Sequence, residues 1–139
     1  MRNVAFAFVS SFMAYYLIAA AQAQTIQNPV RNIALKSGET VEITDLYYIG
    51  MNCQSLLKGT PVVEIMEGPP GVTAAINAQN VVPRIYGCAK AVTGGKLSIS
   101  AKDIDDQSLS RLVLRIKYKT SVGDRESSVI FNVALFPAN

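Results

Sequence analysis

The chain has 139 residues, 13 Lys plus Arg against 10 Asp plus Glu, two Cys, and neither His nor Trp. That length fits one domain, and a net charge of +3 is too small for a nucleic-acid binder. Half the residues are hydrophobic, which excludes disorder, and the lack of His excludes Ser-His and Cys-His nucleophile pairs, a His base and His metal ligands.

Residues 1–23 read as a secretory signal peptide. Arg2 supplies the positive start, the stretch from Val4 to Ala20 is apolar apart from Ser10 and Ser11, and Ala21-Gln22-Ala23 fits the small-x-small cleavage rule. The cut falls before Gln24 and leaves a single domain over 24–139. The alternative is a retained anchor, because the run to Ala23 is long enough to span a bilayer. The next basic residue is only Arg31, so no Lys or Arg cluster stops transfer, and no Cys follows the run for lipid attachment. The expected place is the periplasm or outside of a bacterium, with no stable membrane span after cleavage.

An exported chain with two cysteines pairs them, so Cys53 and Cys88 are expected to form a disulfide. Closing such a loop stabilises a fold by at most about 4 kcal/mol in the chain-entropy account. The competing reading joins Cys53 and Cys88 with Met51 and Met66 as soft ligands for Cu(I). No Cys-x-x-Cys spacing exists, which argues against a thiol oxidoreductase.

Downstream, the hydrophobic pattern has period two. Strands are expected over 40–46, 61–66, 72–76, 81–86, 97–101, 111–119 and 127–136. Turn signals separate them at Ser37-Gly38, Lys58-Gly59, Gly68-Pro69-Pro70-Gly71, Thr93-Gly94-Gly95 and Val122-Gly123-Asp124. The best helical window, 104–112, lacks both length and a clean stripe. The fold class is therefore all-β, an antiparallel β-sandwich of about seven strands with one disulfide. In the last hairpin Leu112, Leu114, Ile116 and Tyr118 point one way, and Arg111, Val113, Arg115, Lys117 and Lys119 the other. A turn at Val122-Gly123 pairs Lys119 with Glu126, Ile116 with Val129, Leu114 with Phe131 and Leu112 with Val133.

Leu97 to Ala101, the polar corner from Asp103 to Leu109, the strand from Arg111 and the closing hairpin follow one another in a familiar order. From Leu97 to Leu135 this resembles the E, F and G strands of an immunoglobulin-like sandwich. Tyr86-Gly87-Cys88 imitates a tyrosine corner, but Cys88 precedes the E-like strand and no Trp is present to cover a disulfide. The resemblance implies a generic bacterial immunoglobulin-like or cadherin-like domain whose disulfide ties a loop to a neighbouring strand.

Arg111, Arg115, Lys117 and Lys119 form a basic stripe that would meet an anionic partner or serve as a solvated face, with Glu126 neutralising Lys119. Asp103, Asp105 and Asp106 offer carboxylates to Ca²⁺, which takes about six to eight oxygens, or make an ordinary Asp-rich turn. Glu67, Gly68, Pro69, Pro70 and Gly71 make a stiff loop, suited to a partner's cleft or to plain connection. Tyr47 and Tyr48 end an early strand with one ring inward and one outward. No Ser-x-x-Lys or Gly-x-Ser-x-Gly spacing, phosphate loop or metal motif is present. The expected function is an exported, non-enzymatic binding or structural module of the bacterial envelope, without cofactor or metal, that meets an envelope protein or a glycan. The alternative is an inhibitor of a periplasmic or secreted hydrolase acting through the Pro69-Pro70 loop.

Overall fold

A computed structural model describes residues 29–139, and the expected leader lies outside them. Alternating side chains build seven strands: β1 (Val30–Lys36), β2 (Thr40–Leu46), β3 (Val62–Glu67), β4 (Val72–Val81), β5 (Val92–Ala101), β6 (Ser108–Thr120) and β7 (Gly123–Phe136). They form two sheets, ordered β1-β7-β6-β3 and β2-β5-β4. Leu112, Leu114 and Ile116 of β6, with Phe131, Val133 and Leu135 of β7, bury against Leu97 and Ile99 of β5. Each such side chain contributes roughly 1.5–3 kcal/mol when fully buried. The outcome is a β-sandwich, and its division of second, fourth and fifth strands from third, sixth and seventh is that of an immunoglobulin-type sandwich.

Four details differ from the sequence reading. First, β1 has no counterpart among the expected strands; it pairs with β7, and the pairing is parallel, from Val30 opposite Ile130 to Lys36 opposite Phe136. Only Leu35 of β1 is fully buried, so its apolar signal is thin.

Second, the last hairpin is shifted by two residues, with Lys119 opposite Asp124, Ile116 opposite Ser127, Leu114 opposite Val129 and Leu112 opposite Phe131. The turn is only Ser121-Val122. Gly123 takes a left-handed φ of 106°, and the Thr120 hydroxyl donates to its carbonyl at 2.5 Å. A shift of two keeps every side chain on its face, so the hydrophobic pattern cannot detect it, and turn geometry decides.

Third, Gly94 and Gly95 lie inside β5 and make no turn. A Cβ on Gly94 would sit 2.7 Å from Val81 Cγ2 and against the Leu46 carbonyl; one on Gly95 would sit 2.7 Å from Ile76 Cγ2. These glycines are there for close approach of neighbouring strands.

Fourth, 81–86 is no strand. Val81 ends β4, Pro83 has no N–H to offer a ladder, and Tyr86 (φ 54°) and Gly87 (φ 68°) are left-handed.

Gly94→Ala should lower stability by about 1–3 kcal/mol, the usual cost of overpacking. Urea unfolding should show a lower midpoint with an unchanged slope; an unchanged midpoint would contradict the close-approach account.

Candidate functional site at the loop end

Strand directions collect three connections at one end. Both β2 and β4 run antiparallel to β5, so both stop on the same side. The β6–β7 turn reaches that side too, because Leu57 of the β2–β3 connection bridges Thr120. Residues 47–61, 82–91 and 121–122 thus form one surface.

Covalent and hydrogen bonds hold it together. Cys53 and Cys88 are joined, with their Cα atoms 5.6 Å apart. The bond links two loops, where the resemblance implied a loop and a strand. It also occupies both thiols, so the Cu(I) reading loses its thiolate ligands. Ser55 Oγ donates to the Thr93 carbonyl at 3.1 Å, Ser121 N–H to Leu56 at 2.9 Å and Lys58 N–H to Lys119 at 2.8 Å. Cys53 (φ 65°) and Tyr86 (φ 54°) both adopt left-handed backbone. Non-glycine residues hold that conformation at a cost of order 1–3 kcal/mol, and only where their surroundings dictate it.

The surface so fixed is apolar at its tips. Met51 is 84% exposed, Tyr86 61% and Val122 55%, with Val82 and Ile85 also exposed. Lys58, Arg84 and Lys90 stand exposed on the same loops, and 47–61, 82–91 and 121–122 contain no carboxylate. Exposed apolar clusters with a polar rim mark interaction sites.

Beside it, on the outer face of the β2-β5-β4 sheet, lies a depression of about 370 Å³ lined by Glu42, Asp45, Tyr47, Arg84 and Lys96 among others. A bulge in β2 between Glu42 and Thr44 bends the strand there. Lys96 Nζ lies 3.3 Å from Glu42 and 3.5 Å from Asp45. The Glu42 hydrogen bond raises the Lys96 pKa. Both carboxylates share one ammonium, and with Arg84 also on the lining the hollow holds two acids and two bases. Tyr47 turns toward the 82–91 loop, its hydroxyl accepting from Arg84 N–H at 3.3 Å, while the Tyr48 ring lies 6.1 Å from that of Tyr118. Both are half-buried, yet they turn opposite ways: Tyr47 lines the outer depression, while Tyr48 meets Tyr118, which packs against the core.

The residues singled out from the sequence lie elsewhere. Arg111, Arg115, Lys117 and Lys119 do share the outward face of β6, but acids neighbour three of them. Lys117 Nζ meets Glu64 at 2.8 Å, Arg115 Nε meets Glu126 at 3.8 Å, and Lys119 stands opposite Asp124. Glu126 serves Arg115, not Lys119 as expected, because the hairpin register differs by two. The Lys117 hydrogen bond holds the Glu64 carboxyl below its ordinary range. At the far end, Glu67 closes β3, and Gly68-Pro69-Pro70-Gly71 crosses from one sheet to the other. Lys102 N–H ties this crossing down through the Gly71 carbonyl at 2.8 Å. Asp103, Asp105 and Asp106 lie exposed in the β5–β6 connection at the same end, and among the described residues no group of acidic or cysteine side chains converges as a metal site.

The alternation of Val82, Ile85 and Tyr86 imitates a strand and hides the loop-end tips in the sequence. A signal was available: the absence of carboxylates from all three loops. No protein-family model and no curated protein sequence matches the chain.

Burial raises the Tyr118 pKa. Its phenol should ionise above the ordinary phenol range in an alkaline titration followed by ultraviolet absorbance, and Tyr118→Phe should remove that late step. Since the folded value lies above the unfolded one of ~10, this group's contribution is intact below that pH and declines as pH rises through the folded value.

Proposed function

We propose that the protein is an immunoglobulin-like, non-enzymatic binding module that works outside the cytosol, in a bacterial periplasm or beyond, and docks an envelope protein through its loop end. The observation that carries this reading is the exposure of Met51, Ile85, Tyr86 and Val122 on loops gathered at one end, two of those loops being stapled by Cys53–Cys88. Structural disulfides form and persist in oxidising compartments, which supports export. Among the described residues no helix is long and apolar enough to cross a membrane.

A protein partner fits these side chains better than a glycan does. Tyr supplies a large amphipathic contact, Met adapts to irregular pockets, and Lys58, Arg84 and Lys90 suit acidic groups around such a pocket. The cross-links fix the loops before contact, so less ordering entropy is lost on binding. The family reading draws its support from the strand order alone.

The test is crosslinking and affinity capture of the protein from its native envelope, in parallel with a Met51→Ser/Tyr86→Ser variant. Both side chains are exposed, so the fold should survive, as circular dichroism will check. Affinity for the captured protein should fall about tenfold or more, the effect of losing central anchors. A folded variant that captures the same protein undiminished overturns the loop end as the site.

A further inference from the structure

The outer face of the β1-β7-β6-β3 sheet carries a second, independent pattern. Across β6 and β7 its outward residues stand in rows: Leu109 opposite Ala134, Arg111 opposite Asn132, Val113 opposite Ile130, Arg115 opposite Ser128, Lys117 opposite Glu126 and Lys119 opposite Asp124. Every row is complementary within itself, either apolar with apolar or a cation with an acid or a neutral polar group. Among the described residues nothing covers this face, and Leu109 is 75% exposed on it.

Such rows have a symmetry consequence. Place a two-fold axis on the face, between β6 and β7 and parallel to them. Each residue of one copy then meets the second copy's version of its own cross-strand neighbour. Val113 lies over Ile130, Leu109 over Ala134, Lys117 over Glu126 and Lys119 over Asp124. The complementarity already present within one chain is repeated between two. The other in-plane axis, across the strands, reverses the rows. It sets Arg111 over Lys117 and Lys119 over Leu109, which opposes like charges and buries a cation on an apolar side chain. Only the axis along the strands is chemically consistent.

We infer that the protein self-associates as a two-fold dimer through this face, with β6 of each copy over β7 of the other. Nearly matched charge favours this occupant, since three of the four cations of the basic stripe, Arg115, Lys117 and Lys119, already have acids beside them on the same surface. A polyanion would have to compete with Glu64, Asp124 and Glu126. Face-to-face sheets cross at about 30°, so the match is tightest in the central Val113 row, and long Lys and Arg side chains follow the divergence outward. Four strands about 4.8 Å apart, overlapping over about seven residues at about 3.3 Å each, give roughly 450 Å² of flat face per copy. A standard interface buries about 800 Å² per partner, so the dimer is weak and concentration-dependent.

Because the axis runs along the strands, both loop ends point the same way. A dimer thus presents two copies of the surface carrying Met51 and Tyr86 side by side, and a partner offering two epitopes gains avidity. Self-association does not rest on the loop-end reading, and either stands if the other fails.

Sedimentation velocity of the purified protein across micromolar to millimolar concentrations should show monomer giving way to dimer. Leu109→Arg and Lys117→Glu should each weaken association about tenfold, and Lys117→Glu/Glu126→Lys should restore it. Circular dichroism confirms that each variant folds. Mixing a Val113→Cys chain with an Ile130→Cys chain under mild oxidation should give a disulfide-linked dimer, whereas Leu109→Cys mixed with Lys119→Cys should not. Monomer at every concentration, dimerisation indifferent to both surface variants, or crosslinking only in the second mixture overturns the proposal.

Discussion

Burial of Leu112, Leu114 and Ile116 against Leu97 and Ile99 decides which way the other side chains of β5 and β6 point. A strand has period two, so fixing the inward set fixes the outward set as well. Arg111, Val113, Arg115, Lys117 and Lys119 form one line for this reason, and β7 brings Asp124, Glu126 and Ile130 beside them. The core also holds the two sheets face to face. That stacking brings the ends of β2, β4 and β6 to one side, and with them the loops that carry the exposed apolar tips. Both candidate surfaces are by-products of one packing arrangement.

The loop end needs more than packing. Loops of this length lack a ladder, and exposed Met51 and Tyr86 gain nothing from the core. The Cys53–Cys88 bond and the backbone hydrogen bonds to Leu56, Lys119 and Thr93 supply the missing constraint. Left-handed backbone at Cys53 and Tyr86 is the local expense of the shape they impose. At the opposite end, the Pro69-Pro70 crossing is short, joins the two sheets and is tied to Lys102.

Much of this was legible in the sequence, and the failures have physical causes. Period two gave the all-β class, the faces of β6 and the bounds of β2, and the presence of just two cysteines, read as a pair, gave the disulfide. The hairpin register was not legible, because a slip of two leaves the pattern of Leu112, Leu114 and Ile116 unchanged. Gly94-Gly95 has the composition of a turn whether it turns or admits a neighbouring strand; only Leu46, Val81 and Ile76, brought in by tertiary folding, tell the two apart. Alternation through Val81 to Tyr86 hid a loop, although Pro83 argued against a strand. The basic stripe was placed on its correct face, but Glu64, its partner from β3, lies far away in sequence. β1 was invisible for the same reason, since its parallel partner β7 shares no turn with it.

The parallel pairing of β1 with β7 bears on how the domain carries tension. The chain enters β1 at Val30 and leaves β7 at Phe136, and the two strands run side by side in one direction from Val30 opposite Ile130 to Lys36 opposite Phe136. A pull on the two termini therefore drags these strands past each other lengthwise. The load falls on the whole ladder at once, and its bonds must shear together rather than unzip singly. A domain stretched between two anchors would resist extension along this seam first.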